Sequence, residues 1–275
     1  AGFDSGGGYH GPLAMAAPQY FPAGVYCYGS NLASEATSAQ TFTSTLTATD
    51  FEWPGQSSSL FATKAVTSNV DLGCGLLNVP ASGGIVLASL DSGGSCQWSK
   101  LLALPTAAVK ATNFRVGADS TLALAVVYAG SIDFGGGPLV ASGPSSLAVA
   151  RFDEGGTLLF TKNFGSASSS FTIGSVGVSV DGTLILTSGY AGSVDLGGGV
   201  LPASDNTLLA VFDATGNFKW NRTVTVDAAG KLVAAVGKCG MVIATNSPSV
   251  DLGNGPLSVQ NSPMPPTIGV AALGL

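Results

Sequence analysis

The residues best suited to chemistry are a set of aspartates, each followed by glycines. Asp71, Asp133, Asp195 and Asp251 lie in Val70-Asp71-Leu72-Gly73-Cys74-Gly75, Ile132-Asp133-Phe134-Gly135-Gly136-Gly137, Val194-Asp195-Leu196-Gly197-Gly198-Gly199 and Val250-Asp251-Leu252-Gly253-Asn254-Gly255. A degenerate copy, Phe3-Asp4-Ser5-Gly6-Gly7-Gly8, stands near position 1. Two chemistries fit a carboxylate in this setting. As a turn former, it accepts hydrogen bonds from the following glycine N–H groups, and glycine reaches backbone conformations closed to other residues. As one of a ring of equivalent acids, it binds calcium. Calcium takes about six to eight oxygens, so one Asp plus backbone carbonyls is a thin site, and there is no DxDxDG run. The turn reading is preferred, with calcium as the alternative and no other cofactor expected.

Tyr128 and Tyr190 stand five residues before their acids, and Asn246 holds the same place in a later copy. Rings at recurring positions stack on sugars, or they pack at strand ends. Lys100, Lys162 and Arg222 also recur. They suit an anion site less well than a solvated position whose aliphatic stem covers a neighbouring aromatic. Asp50 and Glu52, in "DFEWPG", make a carboxylate pair that a hydrolase would need. His10 is the only histidine, and no GxSxG elbow is present. Gly6-Gly7-Gly8-Tyr9-His10-Gly11 matches GxGxxG by letter, without the preceding strand and following helix that a dinucleotide site requires. No catalytic set assembles, and a non-enzyme is expected.

Composition narrows the partners. The chain has 275 residues, 45% apolar and 9% charged, with ten Lys plus Arg and a net charge of −6. Without a basic stripe, nucleic acid is a poor partner. No apolar run approaches the roughly 20 residues of a spanning helix. The four cysteines form no CxxC pair, which disfavours zinc. An even count in a Lys-poor chain fits an oxidising compartment. Three pairings are open. Cys27–Cys239 with Cys74–Cys96 is preferred, the first tying distant parts of the chain and the second closing within one repeat. Four buried free thiols are the alternative.

These residues must be held by repeated elements. The aspartates recur roughly sixty residues apart, a period that decides the fold. It divides the chain into repeats at about 4–70, 71–132, 133–194, 195–250 and a partial 251–275. A second motif runs in phase. "IVLASLD" (85–91), "LAVARFD" (147–153) and "LLAVFD" (208–213) each end in Asp and lead into a glycine turn. Seven residues on stands Trp98, Phe160 or Trp220, and two further on Lys100, Lys162 or Arg222. Each is two strands, C and D, joined by a tight turn. A third hairpin, of strands A and B, is read in 111–128, 175–190 and 231–246. β-branched residues crowd these runs and no helical period is sustained.

Each unit therefore predicts a four-stranded antiparallel meander, A to D, and the class is all-β. Four-stranded units repeated around an axis form the blades of a β-propeller. Small residues in A and B suit the crowded centre, and the large aromatics suit the gaps between blades. Strand A is expected near 41–50, 109–117, 172–180 and 230–236, which gives four blades in one domain over 1–275, with the two ends sharing a closing blade. Strand C is counted five times, near 24–30, 85–90, 147–152, 207–212 and 267–273. The surplus makes five blades the alternative.

"SIDFGGGPLVASGPSSLAVARFDEGGTLLFTKNFG" and "SVDLGGGVL…LLAVFDATGNFKW" resemble the bacterial β-propeller repeats of the SBBP type, found in secreted myxobacterial proteins. The similarity covers about residues 70–275 well and 1–69 poorly. It implies a propeller and an extracellular or cell-envelope setting, and no particular chemistry. The expected function is a secreted, non-catalytic binding or adhesion module for a glycan or a protein. A self-assembling surface protein that exchanges strands between subunits, hence a homo-oligomer, is the alternative. A hydrolase with acidic residues is the third reading.

Overall fold

The computed structural model describes residues 2–3, 9–10, 51–52, 59–91, 94–103, 108–117, 119–179, 181–203, 207–226, 232–237, 240–245, 249–251, 256–258 and 268–273. Throughout these the chain is antiparallel β-structure with no helix. The strands run β1 (Gly2–Phe3) and β2 (Tyr9–His10), a hairpin; then β3 (Phe51–Glu52), β4 (Leu60–Val66), β5 (Val70–Asp71), β6 (Leu76–Leu77), β7 (Gly84–Leu90) and β8 (Cys96–Ala103). The second unit holds β9 (Ala108–Val116), β10 (Leu122–Ala129), β11 (Ser131–Asp133), β12 (Pro138–Val140), β13 (Ser146–Phe152) and β14 (Leu158–Phe164). The third holds β15 (Ser170–Val178), β16 (Leu184–Ala191), β17 (Val194–Asp195), β18 (Val200–Leu201), β19 (Thr207–Phe212) and β20 (Phe218–Val226). The fourth holds β21 (Leu232–Gly237), β22 (Gly240–Thr245), β23 (Ser249–Asp251), β24 (Pro256–Ser258) and β25 (Ile268–Leu273).

Each unit builds one meandering sheet in the order A-B-C-D. The sheets are β3-β4-β7-β8, β9-β10-β13-β14 and β15-β16-β19-β20, the last extended at its edge by β23-β24, with β21-β22-β25 as the fourth. The first expected strand A, at 41–50, lies outside the described residues, and so does the strand C expected at 24–30. On the side away from β7, β4 pairs with β3, where Phe51 is opposite Ala62.

The apolar runs explain the stacking. β7 and β13 are buried at every residue, as is β19. A strand with one wet face would alternate; near-continuous apolar sequence means that both faces are covered. The second sheet shows how. Leu122, Leu124, Val126 and Tyr128 of β10, with Ala148, Ala150 and Phe152 of β13, pack on Phe61, Ile85 and Leu87 of the first sheet. The intervening Ala123, Ala125, Val127, Leu147 and Val149 pack on Val176, Leu184, Leu186 and Leu208 of the third. Period-two alternation thus sorts one strand between two separate cores. On the first sheet, Ala62, Val86 and Ala88 form a further buried cluster on the face opposite Ile85 and Leu87.

The inner strands follow one another as well. β9 packs on β15, and β15 on β21. Asn113 of β9 accepts the Val176 N–H of β15 at 2.9 Å. Strand D is half exposed: along β14 only Phe164 is fully buried.

The C–D turns have one geometry. The Asp91, Asp153 and Asp213 N–H groups donate to Ser95, Thr157 and Asn217, and Gly94, Gly156 and Gly216 donate back to the three Asp carbonyls. Those glycines have φ of +80°, +77° and +83°, the left-handed residue that closes a three-residue hairpin loop.

The β1–β2 hairpin has a different register from the glycine hairpins. Phe3 pairs with Tyr9, enclosing residues 4–8. The C–D hairpins also enclose five residues, between Leu90 and Cys96, Phe152 and Leu158, and Phe212 and Phe218. The glycine hairpins enclose four, as between Asp133 and Pro138. The A–B hairpins enclose five as well, between Val116 and Leu122 and between Val178 and Leu184, so the register sets β1–β2 apart from the glycine hairpins, and Asp4 itself lies outside the described residues.

Candidate functional site

The glycine motifs form small hairpins of their own between strands B and C: β5–β6, β11–β12 and β17–β18. The sequence predicts a turn at the acid; the structure adds a two-stranded projection there. Oδ1 of Asp71 accepts the N–H of Gly73 at 2.8 Å and of Gly75 at 3.2 Å. Asp133 repeats this with Gly135 at 2.7 Å and Gly137 at 3.0 Å. Asp195 does so with Gly197 at 2.7 Å and Gly199 at 3.2 Å. All six glycines have φ between +95° and +108°, where an L side chain is strained. Asp251 lies in β23, whose hairpin with β24 pairs with the end of β20.

The middle residue of each motif sits down on the start of strand D. A β-carbon on Gly136 would stand 3.0 Å from Leu158 Cδ2, and one on Gly198 only 2.3 Å from Phe218 Cε1. In the first unit the same two positions are Cys74 and Cys96, and they form a disulfide. The bridge expected within one repeat is thus a covalent version of a contact that the other repeats make by packing. Cys27 and Cys239 lie outside the described residues.

Anchored at both ends, these hairpins turn apolar side chains outward. Leu76 is 58% exposed, Val140 63% and Val200 70%. Leu76, Pro138 and Val200 occupy the same place, five residues after their acids, and Val140 is the next outward residue on β12.

Tyr128 and Tyr190 do not share this surface. Both rings are buried in gaps between sheets, so neither offers a face to a sugar. The Tyr128 hydroxyl donates to Asn163 Oδ1 at 3.1 Å. Burial pushes its ionisation up to about 12, and the Asn163 bond only partly offsets this. Asn246 and Asp50 lie outside the described residues, and for Glu52 the backbone alone is described. Among the described residues, no group of three or more His, Cys, Asp or Glu could hold a metal ion.

The recurring aromatics and bases join sheets. Trp98 Nε1 donates to the Glu154 carbonyl of the second sheet at 2.9 Å, and Lys100 Nζ to the Gly156 carbonyl at 2.7 Å. A β-carbon on Gly156 would lie 2.9 Å from the Trp98 ring, and one on Gly216 2.8 Å from Phe160. The aromatic of one unit therefore covers the C–D turn of the next. Lys100, read as a solvated residue, is bonded into this joint and lies 5.9 Å above the Phe152 ring.

Arg151 was not singled out from the sequence. It is 2% exposed. It donates to the Gly182 carbonyl at 2.7 Å and the Ala214 carbonyl at 3.0 Å, both of the third sheet. It also pairs with Asp119 and donates to Thr121 Oγ1 within its own. The signal was a lone charge in a strand C whose counterparts are Ser89 and Val211.

No protein-family model matches the chain, and no curated protein matches it. Among solved structures, the crystal structure of the polysaccharide lyase Uly1 is similar at a TM-score of 0.33 and 9% identity, over 79% of this chain. The match spans 47% of that protein's chain, so this chain covers less than half its length.

Proposed function

We propose that the protein is a non-catalytic binding module, with its four sheets arranged as propeller blades of the SBBP type and its glycine hairpins as the contact rim. The observation that carries this is the equivalent exposure of Leu76, Pro138 and Val200, with Val140 beside them, on three hairpins. Single exposed aliphatics are ordinary on any surface. Three at one repeat position, each held by an Asp clasp, make a row of like sites. Weak contacts on a rigid row add through effective concentration. The residues are aliphatic rather than aromatic, which favours a protein partner over a glycan. The Cys74–Cys96 bridge suits an extracellular or envelope setting.

An array of extracellular and envelope proteins, printed beside a glycan array, tests the reading. Binding to proteins is expected to weaken stepwise as Leu76→Lys, Val140→Lys and Val200→Lys are combined. Full retention by the triple variant, with an unchanged circular dichroism spectrum, removes the rim from the mechanism. Binding confined to glycans removes the protein partner.

A further inference from the structure

We infer that each glycine hairpin is a subsite for one basic side chain of the partner, so that the protein segment docked on the rim is rich in lysine or arginine. This rests on the rim proposed above and adds the chemistry of what it binds.

The register of the hairpins carries it. Asp71 is paired with Leu76, Asp133 with Pro138 and Asp195 with Val200. Residues directly opposite in an antiparallel pair project from the same face, with β-carbons about 5 Å apart. The residues before the acids, Val70, Ile132 and Val194, are buried, so their face is turned into the protein and the face of the acids outward. Asp71 and Asp195 are exposed, and Asp133 is half-exposed. The exposed apolar residues of the rim are therefore not isolated, for each of Leu76, Pro138 and Val200 stands beside a carboxylate on the outer face. Register repeats the pair in the fourth unit, where Asp251 is opposite Pro256.

The clasp leaves half of each carboxylate unused. Both glycine N–H groups of a motif donate to the same oxygen, Oδ1 of Asp71, Asp133 or Asp195. Among the described residues, no hydrogen bond reaches Oδ2 of these three. Residues 69–79, 131–140 and 193–201 contain no Lys or Arg, so the hairpins bring no cation of their own. What they present is an anionic acceptor next to an apolar surface. A lysine or arginine complements both parts at once, with its aliphatic stem on Leu76 or Val200 and its charged end on Oδ2. The net charge of −6 draws such a segment in from a distance.

Charge-neutral variants of the full chain test this. Asp71→Asn, Asp133→Asn and Asp195→Asn are combined; each Asn keeps an oxygen for the glycine N–H groups and removes the charge. Asp91→Asn, Asp153→Asn and Asp213→Asn, in the C–D turns, form a second triple with the same change in net charge. Binding of a fluorescent peptide of alternating lysine and serine is read by anisotropy, beside its glutamate counterpart. Exposed charge pairs are weak singly, and three on one row add. The lysine peptide is expected to bind the unaltered protein, and about tenfold more weakly the rim triple. The turn triple should lose less than about twofold. Asp195→Asn alone, with an expected loss of about twofold, replaces the rim triple if that does not fold. Leu76→Ser with Val200→Ser should also weaken the lysine peptide, through loss of the stem contact. Equal losses in the two triples overturn the inference, since net charge alone then explains the binding. Absence of binding by the lysine peptide, or preference for the glutamate peptide, overturns it too. The rim triple is also placed on the protein array. Array binding that survives the Asn substitutions but not Leu76→Lys, Val140→Lys and Val200→Lys leaves the rim standing and removes its basic partner.

Discussion

Asp213 collects four hydrogen bonds at an exposed turn. Its Oδ1 accepts from the Thr215 N–H at 2.9 Å, the Thr215 hydroxyl at 2.7 Å and the Asn217 N–H at 2.8 Å, and its Oδ2 from the Asn217 amide at 3.1 Å. Each bond favours the ionised carboxylate. The Thr215 hydroxyl contributes most, and the group is held down to about 2. The unfolded chain ionises the same group near about 3.9. The carboxylate thus takes up its proton later in the folded state, and its stabilisation is present above about pH 4. It is lost as pH falls toward about 2. Urea midpoints measured between these limits should fall with pH, and the fall should be shallower in Asp213→Ala. An equal slope in both proteins would exclude this group. The Asp before a glycine turn was legible in the sequence; its hydroxyl partner was not, because Thr215 replaces the Gly93 and Gly155 of its sister turns.

At the scale of elements, the glycine hairpin is a projection clipped to the start of strand D. Cys74–Cys96, Gly136–Leu158 and Gly198–Phe218 are one contact in three chemistries. Gly136 is not among the positive-φ glycines, so a side chain there is not strained. Gly136→Cys with Leu158→Cys should therefore form a second bridge on air oxidation, with the clash against Leu158 removed by the same pair of changes. The loop it closes equals the separation of 22 residues spanned by the natural bridge. The gain is expected to be about 2–3 kcal/mol in oxidised over reduced protein, read as the difference in unfolding free energy with and without dithiothreitol. Failure to oxidise would mean that the second hairpin is seated differently from the first. A single substitution at Gly198, with Phe218 kept, would be less well tolerated than one at Gly136, because the Phe218 ring fills the space a side chain needs.

For the molecule as a whole, stability resides in the gaps between sheets. The second sheet has described neighbours on both faces, and Arg151 ties it to the third through two backbone carbonyls. The same residue bonds to both turns of its own unit's neighbour that lie at that end of the strands, so it is satisfied despite its burial. Opening this sheet must break two cores at once. Native-state hydrogen exchange should accordingly find the amides of β10 and β13 slowest, with β14 exchanging earlier at its half-exposed edge. Uniform protection across the three sheets would contradict this division. Contacts run between consecutive units, as in other repeat architectures, so a lesion in one gap should act mainly on its two sheets.

The sequence by itself determined the strands, their A-to-D order and the Asp-clasped turns. These depend on neighbours along the chain: alternating apolar residues, β-branched runs, and glycines at fixed offsets from an acceptor. It did not distinguish the β1–β2 hairpin from the glycine hairpins, because both enclose an acid followed by glycines; one added residue between paired strands separates them, and pairing is a tertiary fact. Nor could it tell a sugar-facing Tyr128 from a core Tyr128, or a solvated Lys100 from one bonded to the next sheet. Those outcomes depend on what lies across the gap, roughly sixty residues away in the chain, and only the packing of one sheet on another decides them.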